Sequence, residues 1–253
     1  MSSSDRLLVL LRAGDADPPA LARALGLAAA DADQRVRRGG WQLLRIAERA
    51  AAEQAAARLT EAGLVAMLVP ETEVRAAAQP LLALGGEWTG RDLDLRTGEG
   101  AVRVGASGLM LVVQGPIARQ YQTSQEVKRT RTATLQGGYR FHLHRHGDPR
   151  PVEVDPWSFE FTVPARATAV AGASSLLEVT AWVQALAASV TVDDAFRRLP
   201  PDLGVAEPAA GGRLSAAAAL GVRGGKGEGP LVLDNLRQFR FYSAWRAAIE
   251  RRR

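Results

Sequence analysis

Residues 138–161 read GYRFHLHRHGDPRPVEVDPWSFEF, and the rest of the chain is organised around this stretch. Tyr139, Phe141 and Leu143 alternate with Arg140, His142, His144 and His146. A period of two puts the apolar residues on one face and the imidazoles on the other, the pattern of a half-buried β-strand with its histidines toward solvent. Gly147, Asp148, Pro149 and Arg150 supply a turn. A four-residue loop then sets Leu143 opposite Val154, His144 opposite Glu153 and His142 opposite Asp155, like with like on both faces. A loop of another length slips this register.

Upstream of the hairpin, Arg91–Leu95, Ala101–Val104 and Leu109–Gln114 are strand candidates punctuated by Gly98, Gly100, Gly105 and Gly108, as in an antiparallel meander. Gly115 and Pro116 predict a bulge before a further strand over Ile117–Tyr121. A polar stretch follows from Gln122 to Gln136. Downstream, Ser158–Val163 extends the hairpin. Ser175 and Glu178 form a capping box ahead of Leu176, Val179, Val183 and Leu186 at helical spacing, with Trp182 widening the stripe. Thr191–Asp194 opens another short helix carrying Phe196. Many short strands closed by one amphipathic helix resemble a pleckstrin-homology-like barrel, a resemblance of element order alone.

The N-terminal part reads differently. Leu7–Leu11 is an apolar strand, Asp17 an N-cap with Pro18 at the first helical position, and Gly26 the break before a second helix ending at Gly39 and Gly40. Trp41–Ile46 is strand-like, Ala47–Ala62 an Ala-rich helix with Gly63 at its C-cap, and Leu64–Val69 a strand ended by Pro70. The order is β-α-α-β-α-β. With the run from Arg23 to Glu71, RALGLAAADADQRVRRGGWQLLRIAERAAAEQAAARLTEAGLVAMLVPE, this order resembles the C-terminal domain of the bacterial ribosomal stalk protein and the similarly folded Clp protease adaptor. What corresponds is structural: Gly26 and Leu27 between two helices, Ala55 and Leu59 in the long helix, Ala62 and Gly63 before the last strand. The lysine-rich face of the stalk domain and the Asn-Asp pair and helical histidines of the adaptor have no counterpart here. The resemblance therefore implies a fold, and by analogy an interaction module.

The expected fold class is α+β. A β-α-α-β-α-β module over 1–72 is followed by a connection over 73–86, with Pro80, Gly85 and Gly86 at the boundary. An antiparallel, barrel-like β-rich domain with its closing helix covers 87–200, a flexible Ala/Gly/Pro-rich linker 201–232, and an amphipathic helix 233–253. That helix carries Phe239, Tyr242 and Trp245 on one stripe, offered either as a partner-binding surface or as a face docked on the chain's own body; docking with burial of all three is the expectation.

The chain has 253 residues, no cysteine and a formal net charge of +5. Disulfides, thiolate metal sites and cysteine nucleophiles are excluded, and a reducing compartment fits. The N-terminal apolar run is too short for a secretory or membrane segment, so a cytoplasmic location is expected. Lys128 and Lys226 are the only lysines among many arginines, a usage that suggests a GC-rich bacterial genome. The basic excess gathers at the C-terminus rather than along the whole chain.

Catalytic signatures are absent: no Gly-x-Ser-x-Gly, P-loop, His-Glu-x-x-His or strand-linked Gly-x-Gly-x-x-Gly occurs, and no cofactor is expected. The leading expectation is a non-enzymatic adaptor or scaffold with a protein partner. One alternative is a metal-dependent enzyme, with His142, His144, Glu153 and Asp155 as ligands; alternate strand positions lie ~7 Å apart, so two imidazoles could reach one ion. Another is an anion site on Arg119, Lys128, Arg129 and Arg131, for nucleic-acid phosphates or an anionic membrane.

Overall fold

The computed structural model describes residues 5–123, 131–161, 173–205 and 231–253. The chain divides into two compact units: Met1–Pro80 with Gly147–Pro151 and Ser243–Arg253, and Leu81–His146 with Val152–Tyr242. The class is α+β, as expected.

In the first unit, β1 (Arg6–Arg12) is the central strand of a three-stranded antiparallel sheet, flanked by β2 (Trp41–Glu48) and β3 (Ala66–Pro70). A central strand covered on both faces needs a continuous apolar run, and Leu7–Leu11 are all buried. Leu7, Val9 and Leu11 pack with Leu21 of α1 (Pro18–Leu25), Ala32 of α2 (Ala29–Arg38), and Ala52 and Leu59 of α3 (Arg49–Glu61). Local chemistry fixes the helix ends. The Asp17 carboxylate accepts the Ala20 N–H at 3.0 Å, and Gly26 takes the left-handed conformation, φ 63°, that ends α1. The buried Gln42 amide donates to the carbonyls of Arg35 at 2.7 Å and Gly39 at 3.2 Å, satisfying the end of α2.

The connection over 73–86, expected to be helical or irregular, is helical in its first part, whereas its second part is a strand. Glu71–Ala77 forms α4, in contact with β1 and β3, and Leu81 begins a strand of the second unit. Glu71 is buried and pairs with Arg6 at 3.3 Å and Arg75 at 2.7 Å. Glu73 receives Arg251 at 3.3 Å and Arg252 at 3.0 Å, which ties the C-terminal residues to this unit. The Arg252 hydrogen bond lowers the Glu73 carboxyl from its ordinary value, against the effect of burial.

The second unit is built on one large sheet, in the order β12-β13-β7-β8-β9-β4-β5-β6. Its strands are β4 (Leu81–Trp88), β5 (Asp92–Thr97), β6 (Gly100–Gly105), β7 (Leu109–Thr123), β8 (Arg131–Arg145), β9 (Val152–Val154), β12 (Gly204–Val205) and β13 (Leu231–Asp234). β10 (Glu160–Phe161) adds to β4, and β11 (Thr191–Asp193) to β7. The sheet stays open; the expected barrel closure does not occur, because β6 and β12 end the path without pairing to each other. Of the expected meander, Arg91–Leu95 and Ala101–Val104 pair antiparallel within β5 and β6, but Leu109–Gln114 lies in β7, which pairs with β8 and not with β6; the neighbour of β5 on its other side is β4, from the expected connection. Gly85 and Gly86 are not boundary punctuation but close-approach positions inside β4: a Cβ at Gly86 would lie 2.4 Å from the Asp94 carbonyl oxygen.

β7 is one long strand with a register shift between Pro116 and Ala118, where the Gly-Pro pair predicts a bulge. The polar stretch before the hairpin is itself partly strand, since Arg131–Gln136 pairs along β7. One face of the sheet carries the core: Leu93, Leu95, Val112, Phe141, Leu143, Val152, Val154 and Phe159, with Val179, Val183 and Leu186 of α5 (Ala173–Leu186). The helix starts two residues before Ser175, which therefore lies in the first turn rather than at the cap. Thr191–Asp193 is a strand, not a helix start: these residues pair in parallel with Leu111–Val113, and Phe196 follows on a 3-10 turn. Most of the expected linker, 206–230, lies outside the described residues, and its flanks form β12 and β13. The C-terminal helix α6 (Leu236–Glu250) follows.

Candidate functional site

The second face of β8 carries Arg140, His142 and His144, as the alternation requires, but this face is not solvated. His142 is 0 % exposed, His144 1 %, Arg140 4 % and Glu153 4 %. The residues 236–242 of α6 lie over this face: the Phe239 ring meets the His142 ring edge-on at 4.7 Å and the Phe196 ring at 5.1 Å. Only His146, past the end of β8, is exposed.

The hairpin register differs from expectation by two residues. Phe141 faces Val154, His142 faces Glu153 and Leu143 faces Val152. A shift of two preserves every face, so matching like with like could not exclude it. The cause lies in residues 146–151: Pro149 and Pro151 have no N–H to give a ladder, Gly147 takes φ 75°, and the Asp148 carboxylate accepts the Arg150 N–H at 2.9 Å.

This register makes an ionic network. His142 Nε2 lies 3.0 Å from Glu153 Oε2. Arg240 of α6 donates to both Glu153 oxygens, from Nε at 2.7 Å and from Nη2 at 3.0 Å. Arg140 places Nε 3.6 Å from Glu153, gives Nη2 to Asp155 at 2.7 Å and donates Nη1 to the Tyr139 carbonyl at 2.9 Å. Burial alone would raise the Glu153 carboxyl, but the hydrogen bonds from His142 and Arg240, with the positive charge of Arg240, hold it well below the usual carboxylate range. Full burial pushes the His142 imidazole below its ordinary value, against the pull of Glu153. The resulting species are an ionised carboxylate, a neutral imidazole donating Nε2–H, and two guanidiniums.

A metal centre on His142, His144, Glu153 and Asp155 is not what these residues build. Glu153 is engaged by Arg240 and Arg140, and Asp155 takes Arg140. Among the described residues, no three or more histidines and acids are grouped to hold a metal ion.

Of the anion-binding candidates, Arg119 sits beside the buried Asp234 at 3.6 Å. Lys128 and Arg129 fall outside the described residues, and Arg131 opens β8. Phe239, Tyr242 and Trp245 are buried, at 0 %, 3 % and 3 % exposure, which is the docked arrangement and not an open partner-binding stripe.

Further polar contacts hold the start of α6. Asn235 exchanges two hydrogen bonds with Ala118 at the β7 bulge: its side chain accepts the Ala118 N–H at 2.9 Å, and its own N–H donates to the Ala118 carbonyl at 3.3 Å. Tyr242 donates its hydroxyl to Asp193 at 2.8 Å. The sequence reading missed Arg240, Asn235 and Asp193 as members of this cluster, because no local pattern links them to a hairpin many residues away. The outward residues of β4 form the other notable surface: Leu82 and Leu84 are each 49 % exposed, although β4 lies between β9 and β5. Comparison of the chain with family models, with curated proteins and with solved structures gives no match.

Proposed function

We propose that this chain is a non-enzymatic adaptor or scaffold of the bacterial cytoplasm that binds a partner protein. The observation that carries the reading is the exposed pair Leu82 and Leu84 on an interior strand of the large sheet. β4 is a mixed strand, parallel to β9 and β10 and antiparallel to β5, and clustered exposed apolar residues on such an interior strand mark a contact surface. Toward β5, β6 and β10 the surface is charged and internally matched: Arg103 grips Asp94 at 2.6 and 2.7 Å, and Arg96 meets Glu160 at 2.8 Å. Such a rim suits a protein partner presenting a short apolar segment. The reading draws further support from the β-α-α-β-α-β order of the first unit, on which its resemblance to adaptor-type domains rests. Meanwhile His142, Glu153 and Arg240, the side chains best suited to chemistry, are engaged with one another.

The test is affinity capture with the full chain and with a Leu82→Glu, Leu84→Glu double variant, followed by reconstitution from purified components. A protein that binds the wild-type chain stoichiometrically and is lost by the variant supports the proposal. Equal binding by both chains, or small-molecule turnover without a partner, overturns it.

A further inference from the structure

Sheet edges present unpaired N–H and C=O groups, and proteins usually blunt them with short strands, bulges, proline or lysine. Most edges here follow that rule. β12 has two residues, β2 carries a register shift opposite Val9 and Leu10, and β3 is short and ends on Pro70. β6 is different. It pairs with β5 without a shift from Gly100 to Gly105, contains neither lysine nor proline, and among the described residues no strand pairs with its outer edge. In an antiparallel ladder alternate residues turn their backbone groups away from the partner strand, so this edge offers a row of donors and acceptors beyond Gly100, which takes φ 130° and accepts the Thr97 hydroxyl at the hairpin turn.

We propose that β6 is a self-association edge, and that a second copy of this chain pairs with it antiparallel about a two-fold axis at Val102. Residues opposed across such a strand pair must share a face of the sheet, which restricts the register. Centring on Arg103 sets the two Arg103 side chains against each other. Centring on Ala101 leaves only residues 100–102 of each β6 overlapping. Centring on Val102 pairs residues 100–104 and opposes Val102 to Val102, Ala101 to Arg103 and Gly100 to Val104. The two valines meet on the core side, where Val102 is now only partly buried. The small Ala101 and Gly100 make room for the larger residues opposite. Arg103 is drawn back over its own sheet by Asp94, so it does not obstruct the edge. Such a contact is small, which places the pairing at the weak, transient end of the range.

The test uses sedimentation equilibrium of the full chain up to concentrations of about 1 mM, with two charge variants at the exposed Ala101. In the proposed register Ala101→Arg faces Arg103 of the other copy at two symmetric places, and Ala101→Glu faces it with opposite charge. The expected result is a reversible monomer–dimer equilibrium, weakened roughly ten-fold by Ala101→Arg and tightened several-fold by Ala101→Glu, with unchanged circular dichroism in both. A chain that stays monomeric throughout, a dimer indifferent to both variants, or open-ended larger assemblies would each overturn the proposal.

Discussion

Glu153 on β9 and Arg240 on α6, separated by 87 residues in sequence, meet through two hydrogen bonds of 2.7 and 3.0 Å. Glu153 is 4 % exposed and also receives His142, so one carboxylate joins two neighbouring strands and the C-terminal helix. Removing one member of a buried ionic cluster leaves the others uncompensated, which costs far more than the cluster contributes net. Glu153→Gln should therefore lower stability by ~3–5 kcal/mol in denaturant titration. Adding Arg240→Met should recover part of that loss, with a coupling of about 0.5–3 kcal/mol in the double-mutant cycle. Additive effects would mean that the pair contributes nothing specific.

Acid should weaken the fold in two separate windows. The folded-state value of His142 lies below its unfolded one, so the unfolded chain binds a proton that the folded chain refuses. Stability is full above about pH 6.5 and declines as pH falls below it, by up to about 1.4 kcal/mol per pH unit. For Glu153, also depressed on folding, the loss begins only as pH falls below the ordinary carboxyl range near 4.5. Melting curves of wild type and His142→Gln between pH 7 and pH 5 check the first window: the variant should show the shallower slope.

Two glycines should resist substitution for steric reasons. A Cβ at Gly115 would lie 2.8 Å from the Phe196 ring, and one at Gly86 would lie 2.4 Å from a backbone oxygen that cannot rotate away. Gly115→Ala and Gly86→Ala should each cost ~1–3 kcal/mol, the overpacking range. Gly98→Ala, with nothing within 4 Å, is the control and should stay near wild type in thermal melts.

Deleting Leu236–Arg253 should lower the melting temperature and raise binding of a hydrophobic dye. Burial of Phe239 and Tyr242 is worth ~2 kcal/mol each, and the deletion also uncovers the face bearing His142 and Glu153. An unchanged melt would show that the helix contributes no stability.

What could be read from sequence was what short-range chemistry decides. The Leu7–Leu11 run, the Asp17-Pro18 start, Gly26 and Gly63 each act within a few residues, and the first unit follows them closely. The facial alternation of β8 was equally legible, as was the stripe of α6. The destination of the histidine face was not, because burying it depends on Arg240 and Phe239, which no local pattern connects to the hairpin. The register failed for a related reason: a two-residue slip conserves the pattern of faces, and only the prolines of the turn distinguish the alternatives. β11–β13 are too short to carry a period and exist through their pairing with β7 or with each other.

The last residues of the chain belong to both units: Ser243–Arg253 to the first, and the segment just before them to the second. During synthesis, β1 leaves the translation machinery long before α6, yet neither unit is complete until that helix emerges. At roughly 10 residues per second the first strand waits on the order of 20 s for its last companions. A product truncated before α6 would thus be unfinished in both units, and a ready target for proteolytic clearance.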